Sequence, residues 1–419
     1  MNIKGKRLST QQVITRFELA QRKKDIWEDL YSDAYEFAIP QRQLYGYYEG
    51  SSQGQKKMTR VFDSTAIHST ARFANRMQSG VFPPQRRSCR LEPGNQIPFE
   101  QQAEVQSVLD QYTDTMFSVL KNSNFDIAMG EFLLDLSVGT AVMMIQPGNE
   151  TSPINFIPIP LFLVSFEEGA NGEIDKVYRK MRMKGEAITQ QWTDAKLPES
   201  VATRIKNKPF VISRYMKVAG EIYGRGLLLT ALPDIKTLNK TKELLLKNAT
   251  LSVMPVFTAQ DDGVLNPHTV KIVPGAIIPV ARNGGSQGES LRPLPRAGDF
   301  NVSQLIINDL RMSIKQILLD ESLPPDNMSA RSATEIVERM KELSQNLGSA
   351  FGRLINETMI PIVDKTLAVM DERGMINLPL QVNGLEVKVS PSSPLAMAQN
   401  MEEINSIVQF IDVPPEGMN

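Results

Sequence analysis

Apolar residues recur at helical spacing along much of the chain. Val13, Phe17, Ala20, Trp27, Tyr31 and Ala34 keep that spacing, which predicts one helix over residues 9–38. Ser9 with Gln12 forms a capping box at its start, and Pro40 ends it. The polar stretch 46–57, rich in Tyr, Gly, Ser and Gln, reads as an exposed loop. A second helix is expected over 63–79, with Asp63 as N-cap, Gly80 at the C′ position and Pro83-Pro84 forbidding continuation. Helices over 99–122 and 126–138 follow, separated by the turn Asn122-Ser123-Asn124, and Gly139 closes this region.

The period then shifts toward two. Residues 141–145, 154–157, 161–166 and 174–183 read as strands. Asn171-Gly172 marks a hairpin turn, because both residues accept positive φ. Two short helices near 185–192 and 198–206 and a strand over 210–215 complete the segment.

Next comes a helix over 233–253, about 32 Å long at 1.5 Å per residue. Ile235, Leu238, Leu245 and Ala249 lie near one face, and Lys236, Lys240, Glu243 and Lys247 line another. Short apolar runs at 256–258, 270–273 and 277–280, set among Pro and Gly, make 255–298 a strand-and-loop module. Asn301 with Gln304 caps a return helix to residue 320. Its apolar residues are Ile307, Leu310, Ile314 and Ile317, and its polar side carries Asn308, Arg311 and Lys315. Residues 321–331, with Pro324-Pro325 and Asp326-Asn327, are a loop whose prolines restrict the backbone. Ser332 and Glu335 then cap a long helix over 332–373, expected to kink at Pro361 and to stop at Gly374. A strand at 385–389 and a helix over 395–410 close the chain. The fold class is α+β, mainly helical.

Composition narrows the function. A length of 419 residues suggests two to three domains. The net charge of −1 argues against coating nucleic acid through bulk charge, although it allows loose passage of a duplex through a pore. Cys89 is the sole cysteine, so neither an internal disulfide nor a cysteine zinc cluster is expected, which fits a reducing compartment. The charged N-terminus lacks the apolar stretch of a signal peptide, and no apolar run approaches the ~18 residues of a membrane span. The 20 methionines read as adaptable packing.

Catalytic motifs are missing. There is no phosphate loop of the G-x-x-x-x-G-K-[ST] type, since no Lys-Ser/Thr pair follows Gly220, Gly224 and Gly226. Neither H-E-x-x-H nor G-x-S-x-G occurs. His268 follows Asp261 and Asp262, but metal-dependent cutting needs several converging carboxylates, and Asp261-Asp262-Gly263 reads as a turn. Arg86, Arg87 and Arg90 make a small basic cluster beside Cys89, read as an exposed loop or subunit contact.

Several ordered segments carry a family resemblance. Tyr223-Gly224-Arg225-Gly226, followed by Ala231-Leu232-Pro233-Asp234-Ile235-Lys236 and Leu238-Asn239, resembles the signature entering the stem of portal proteins, the head-to-tail connectors of short-tailed phages. Arg331-Ser332-Ala333-Thr334-Glu335-Ile336-Val337, with Arg339 and Glu342, is similar to the family segment after the tunnel loop. Phe62-Asp63-Ser64-Thr65-Ala66, Leu133 to Gly139-Thr140, and Ser393-Pro394-Leu395-Ala396 add to the match. The chain departs from the pattern in its short region between Ile205 and Tyr223 and its barely represented crown.

The resemblance implies a portal fold: wing (1–232), outgoing stem helix (233–254), clip (255–300), return stem helix (301–320), tunnel loop (321–331), long wing helix with a β segment (332–394), and the start of a short or truncated crown (395–419). It implies a twelve-subunit ring at one capsid vertex, assembled in the host cytoplasm and carried in the virion. Double-stranded DNA would pass through the ring non-specifically during packaging and ejection. The implied partners are the terminase large subunit, a tail adaptor, the major capsid protein and scaffold, with no cofactor, metal or membrane. Asn327, Ser329 and Arg331 are the tunnel-loop candidates to meet DNA. Lys236, Lys240, Lys247, Arg311 and Lys315 are stem candidates for the channel or for subunit contacts. The alternatives are another head-completion or tail adaptor protein and, from a different class, a metal-dependent DNA-processing enzyme.

Overall fold

The computed structural model describes residues 10–42, 58–84, 86–149, 151–169, 172–179, 209–253, 257–259, 291–293, 300–320, 347–377, 382, 386–394 and 396–397. The expected helices at 185–192, 198–206 and 398–410, the strands at 270–273 and 277–280, the loop 321–331 and residues 332–346 of the long helix lie outside them.

In chain order the elements are α1 (Thr10–Asp25), α2 (Glu28–Ala38), α3 (Thr65–Val81), β1 (Cys89–Pro93), α4 (Phe99–Lys121), α5 (Phe125–Val138), β2 (Thr140–Pro147), β3 (Ile154–Ile159), β4 (Val164–Glu168), β5 (Ile174–Arg179), β6 (Phe210–Arg214), α6 (Leu227–Val253), β7 (Phe257–Ala259), β8 (Leu291–Pro293), α7 (Phe300–Ile317), α8 (Ser349–Leu354), a π-turn (Ile355–Met359), α9 (Ile360–Glu372) and β9 (Val387–Pro391). All strand pairs are antiparallel among the described residues: β3-β2-β6, β4-β5, β7-β8, and β1-β9, which joins the segment after α3 to the one after α9.

Two hydrophobic clusters meet at β2. Its residues alternate across the sheet, as the two-residue period of a strand requires. Ala141, Met143 and Ile145 face a cluster built from α3, α4, α5 and α9. Val142 and Met144 face a second cluster with α2, α6 and α7. The strand is therefore buried on both sides. α5 is also buried nearly all round, including Asp135, which receives Arg42 through two nitrogens at 2.9 and 2.7 Å and the Tyr35 hydroxyl at 3.0 Å. A buried carboxylate is tolerated only with such partners.

Several boundaries differ from the periodicity reading. The 9–38 helix is two helices, broken at Ile26-Trp27. Ile26 is turned to solvent, whereas Trp27 stacks on Tyr31 and receives the Arg225 guanidinium over its ring. The break lets α1 lie on β4, with Ser165 Oγ bonded to Gln21, while α2 enters the core. Gly80 does not stop α3; the last turn continues because Val81 and Phe82 are buried, Phe82 edge-on to Phe125. Residues 161–163 form a 3₁₀ turn rather than the start of a strand. The outgoing helix begins at Leu227, so Pro233 sits inside it; buried Leu228, Ala231 and Leu232 hold that first stretch against the second cluster and offset the lost backbone bond. The return helix begins at Phe300, which puts Asn301 inside it rather than at its cap. The described part of the long helix is interrupted at Gly348 and again by the π-turn ahead of Pro361. Gly374, with φ 69°, ends it as expected: Gly374 and Met375 N–H bond the Asp371 and Met370 carbonyls. The last strand runs two residues later than expected, because its register is set by pairing Cys89 with Pro391.

Lys24 is buried on α1, its ammonium 2.5 Å from the Phe162 carbonyl and over the Phe162 ring. Burial, only partly opposed by Glu28 and Asp25, brings its pKa from 10.5 to about 8. The unfolded chain then binds more protons than the native one between those values, so native stability rises with pH across that window. Relative to Lys24→Met, wild type should gain on the order of 2 kcal/mol from pH 8 to 10.5 in paired urea titrations.

Candidate functional site at the root of a helical arm

α6 and α7 pack against each other along one face. Leu228, Leu232, Ile235 and Leu238 meet Ile307, Ile314 and Leu318, all buried. At 27 residues α6 is about 40 Å long. Side-chain bonds tie this arm to the body at its near half. Asn239, buried in α6, accepts the main-chain N–H groups of Phe62 and Asp63 at 2.8 and 3.1 Å and donates to the Ile235 carbonyl. Asp63 takes the Arg311 guanidinium of α7 at 2.6 Å through one oxygen; the other accepts the Thr65 N–H at 2.9 Å. Burial raises the Asp63 pKa, but the bonds from Thr65 and Arg311 outweigh it and hold the carboxyl below its ordinary value. The short segment 62–65 thus clasps both rods at one level.

A second set of bonds fixes the end of α7. Leu319 has φ 55°, a left-handed residue closing the helix where glycine is usual, and the Asp320 N–H returns to the Lys315 carbonyl at 2.7 Å. The Asp320 carboxylate is buried; it accepts Ser69 Oγ at 2.7 Å and Arg72 at 3.2 Å from α3, and Arg76 bonds the Leu319 carbonyl.

The start of α6 is held by close backbone contact. Gly226 N–H bonds the Val138 carbonyl at 2.9 Å and Gly224 N–H bonds Thr140 Oγ1 at 2.7 Å. Gly139 has φ 146°, and a Cβ there would collide with the Gly224 carbonyl. Tyr31 and Tyr223 close over this contact, with Tyr31 Oη 3.3 Å from the Gly224 carbonyl and Tyr223 Oη 3.4 Å from the Phe166 N–H. Burial pushes both phenols well above their ordinary range.

Four segments separated in sequence therefore converge: 62–65, 139–140, 223–226 and 234–239. Together they set the position and angle of the arm. Four of the five candidate cations on the arm are paired within the chain. Lys236 pairs with Asp33, Lys240 and Lys247 with Glu243, and Arg311 with Asp63. Lys315 lies exposed on α7, and its carbonyl accepts Asp320. In the basic cluster, Arg87 and Arg90 pair with Asp114 and Asp110 of α4. Asn327, Ser329, Arg331, Asp261, Asp262 and His268 lie outside the described residues. Among the described residues no cluster of three or more His, Cys, Asp or Glu is placed to hold a metal, and no helix is long and apolar enough to cross a membrane.

Sequence reading did not find the roles of Asp320, Ser69 and Arg72, because each depends on contacts across more than 200 residues. For Asp320 the only local trace is a carboxylate just past a helix end.

The chain matches the family described as "Bacteriophage head to tail connecting protein" over residues 10–208 and 202–413. It is 28% identical over 214 residues to the "Probable portal protein" of Bordetella phage BPP-1, covering 47% of this chain and 36% of that protein. It is 22% identical over 169 residues to the "Portal protein" of Enterobacteria phage T3, covering 40% of this chain and 31% of that protein. The chain spans about a third of the length of these curated relatives. Among solved structures, one chain of "Neck of empty GTA particle computed with C6 symmetry" is 13% identical, with a TM-score of 0.39 over 87% of this chain and 92% of that chain.

Proposed function

The chain belongs to the bacteriophage head-to-tail connecting protein family, and from that premise we propose that it is a portal subunit that assembles into a ring at the head-tail junction of the particle. Double-stranded DNA moves through the ring during packaging and ejection. By the family resemblance the ring has twelve subunits and offers docking sites to a packaging terminase, a tail adaptor and the capsid shell. Its role is structural rather than enzymatic.

One observation carries this reading. The bonds that anchor the α6–α7 arm fall on its near half, whereas Leu244 and Leu246 of α6 and Leu305 and Ile306 of α7 stand exposed further out. Met312 extends the α7 stripe one heptad from Leu305, and Leu305 and Met312 are 66% and 61% exposed. Two helices alone bury too little to leave such residues in water without cost. A neighbouring copy of the arm covers them, and repetition of that heterologous contact closes a ring.

The charge pattern fits transport. Each phosphate neutralised by Lys or Arg adds salt-dependent affinity, and a ring multiplies each such contact. Lys236, Lys240, Lys247 and Arg311 are already paired with carboxylates of their own chain. That pairing weakens their hold on a passing duplex.

Negative-stain microscopy and light scattering of the purified protein test the proposal. Wild type should form rings with an open centre. Leu305→Asp with Met312→Asp should yield folded monomers, with circular dichroism and thermal melting little changed. Monodisperse wild-type monomers at high concentration would count decisively against the reading.

A further inference from the structure

We propose that each protomer makes a second contact with its neighbour, on the body rather than the arm. Phe99, at the N-terminal end of α4, seats against an aromatic hollow beside the C-terminal end of α4 in the next copy. This rests on the ring reading, because the occupant of the hollow is another copy of this chain. The fold supplies a knob, a seat and charges that match across them.

The knob is Phe99. It is 88% exposed, the most of any large apolar residue among the described residues. It opens α4 directly after Pro98, whose φ of −55° stiffens the entry, and the Gln101 N–H returns to the Pro98 carbonyl at 2.9 Å. The ring is therefore held on a rigid element. A phenyl group has no local use there, since the unpaired N–H groups of a helix start call for polar caps. Glu100 and Glu104, both exposed, stand one above the other on the adjoining face.

The seat is lined by Phe82, Pro83 and Pro84 after α3, Phe117 and Leu120 of α4, and Phe125 of α5. Its volume of about 40 Å³ takes the edge of a ring, not a whole side chain. Phe82 stands edge-on to Phe125 at 5.7 Å, and Phe125 to Phe156 at 5.1 Å. A further ring continues that arrangement. Ile127, just past Phe125 and Asp126, is 74% exposed and adds to the apolar surface.

Charge identifies the occupant. The seat carries Arg86 and Lys121 against one carboxylate, Asp126, whose pKa burial raises. Arg87 and Arg90 of the same basic cluster are paired with α4. Among the described residues Arg86 and Lys121 have no ion-pair partner, and neither have Glu100 and Glu104. A net positive rim thus meets the acidic flank of the knob. Glu100 and Lys121 also suit the dipole of their own helix, but Phe99 and Arg86 have no such explanation.

Knob and seat cannot meet within one chain. They lie toward opposite ends of a 23-residue helix, about 33 Å apart from residue 99 to residue 121. The contact is therefore heterologous, and its repetition follows a ring. The knob-to-seat distance is then the chord between neighbouring copies, which in a ring of twelve puts Phe99 about 64 Å from the axis.

Oxidative cross-linking of the full chain tests the contact, with Glu100→Cys and Lys121→Cys combined so that Phe99 stays in place. The two positions are too far apart for a disulfide within one chain, and the native Cys89 is buried. The double variant should give a ladder of covalent multimers on denaturing gels, and each single variant no more than dimers. Phe99→Ser should fold like wild type by circular dichroism, yet raise the concentration for half-assembly in light scattering by about tenfold or more. Absence of the ladder, or unchanged assembly of Phe99→Ser, would overturn the proposal. Rings in the microscope without a ladder sink this contact alone. A ladder without rings supports the contact and counts against the ring, and monomers without a ladder sink both.

Discussion

Replacing Gly139 by alanine should destabilise the fold by on the order of 4 kcal/mol, the largest effect of any single methyl group considered for this chain. Two costs coincide. The backbone holds φ 146°, which an L side chain rarely adopts, and the added Cβ points into the Gly224 carbonyl. Neither partner can retreat. The Gly139 carbonyl receives the Tyr215 N–H at 2.9 Å, and Gly224 is fixed by Thr140 and backed by Arg214. Chemical denaturation of the isolated protein measures this. A midpoint within a few tenths molar of wild type would mean that the three glycines do not form a rigid contact. Gly224→Ala should behave similarly through collision alone, since its φ is ordinary.

Asp63→Ala should cost about 3 kcal/mol, because it strips a partner from Arg311 and a cap from Thr65 in a mostly buried setting. Its pH signature separates this role from simple packing. The folded carboxyl titrates below its ordinary 3.8. Its stabilisation is therefore present above that value and lost as pH falls through the lower folded pKa. Asp63→Asn should lower stability at neutral pH and remove part of the acid-limb slope, with the two curves converging below pH 3.8. Parallel curves down to the most acid point would show that the Arg311 contact contributes nothing. The rods should also loosen relative to the body in the variant, visible as faster amide exchange around Asn239 and Arg311.

Much of this site was legible in one dimension. The two helices of the arm, their apolar faces and the closing role of Gly139 follow from periodicity and from glycine, and four of the quoted segments, 62–66, 133–140, 223–226 and 231–239, meet at the arm's root. Their meeting was not legible. Asn239 reads locally as a polar residue on a helix, and only the approach of Phe62 and Asp63 shows why an amide is needed there. Asp63 was readable as a helix cap, but its bond to Arg311 spans 248 positions. Proline misled twice, in opposite directions. At Pro233 burial of the preceding turn overrode the usual rule that proline starts or stops a helix. At Pro361 the expected kink was met by rewinding into a π-turn. The Ile26-Trp27 break was hidden because aromatic and aliphatic residues continued the helical pattern across it; what decides there is a tertiary stack of Trp27, Tyr31 and Arg225.

The pairing of β1 with β9 has a consequence during synthesis. Cys89 opposes Pro391, so β1 finds its mate only after the whole intervening chain has been made. Until then its backbone edge is open, and so distant a contact forms slowly. The body of the fold therefore cannot close until the chain has been made as far as Pro391. So late a closure is a kinetic property that arises from topology alone.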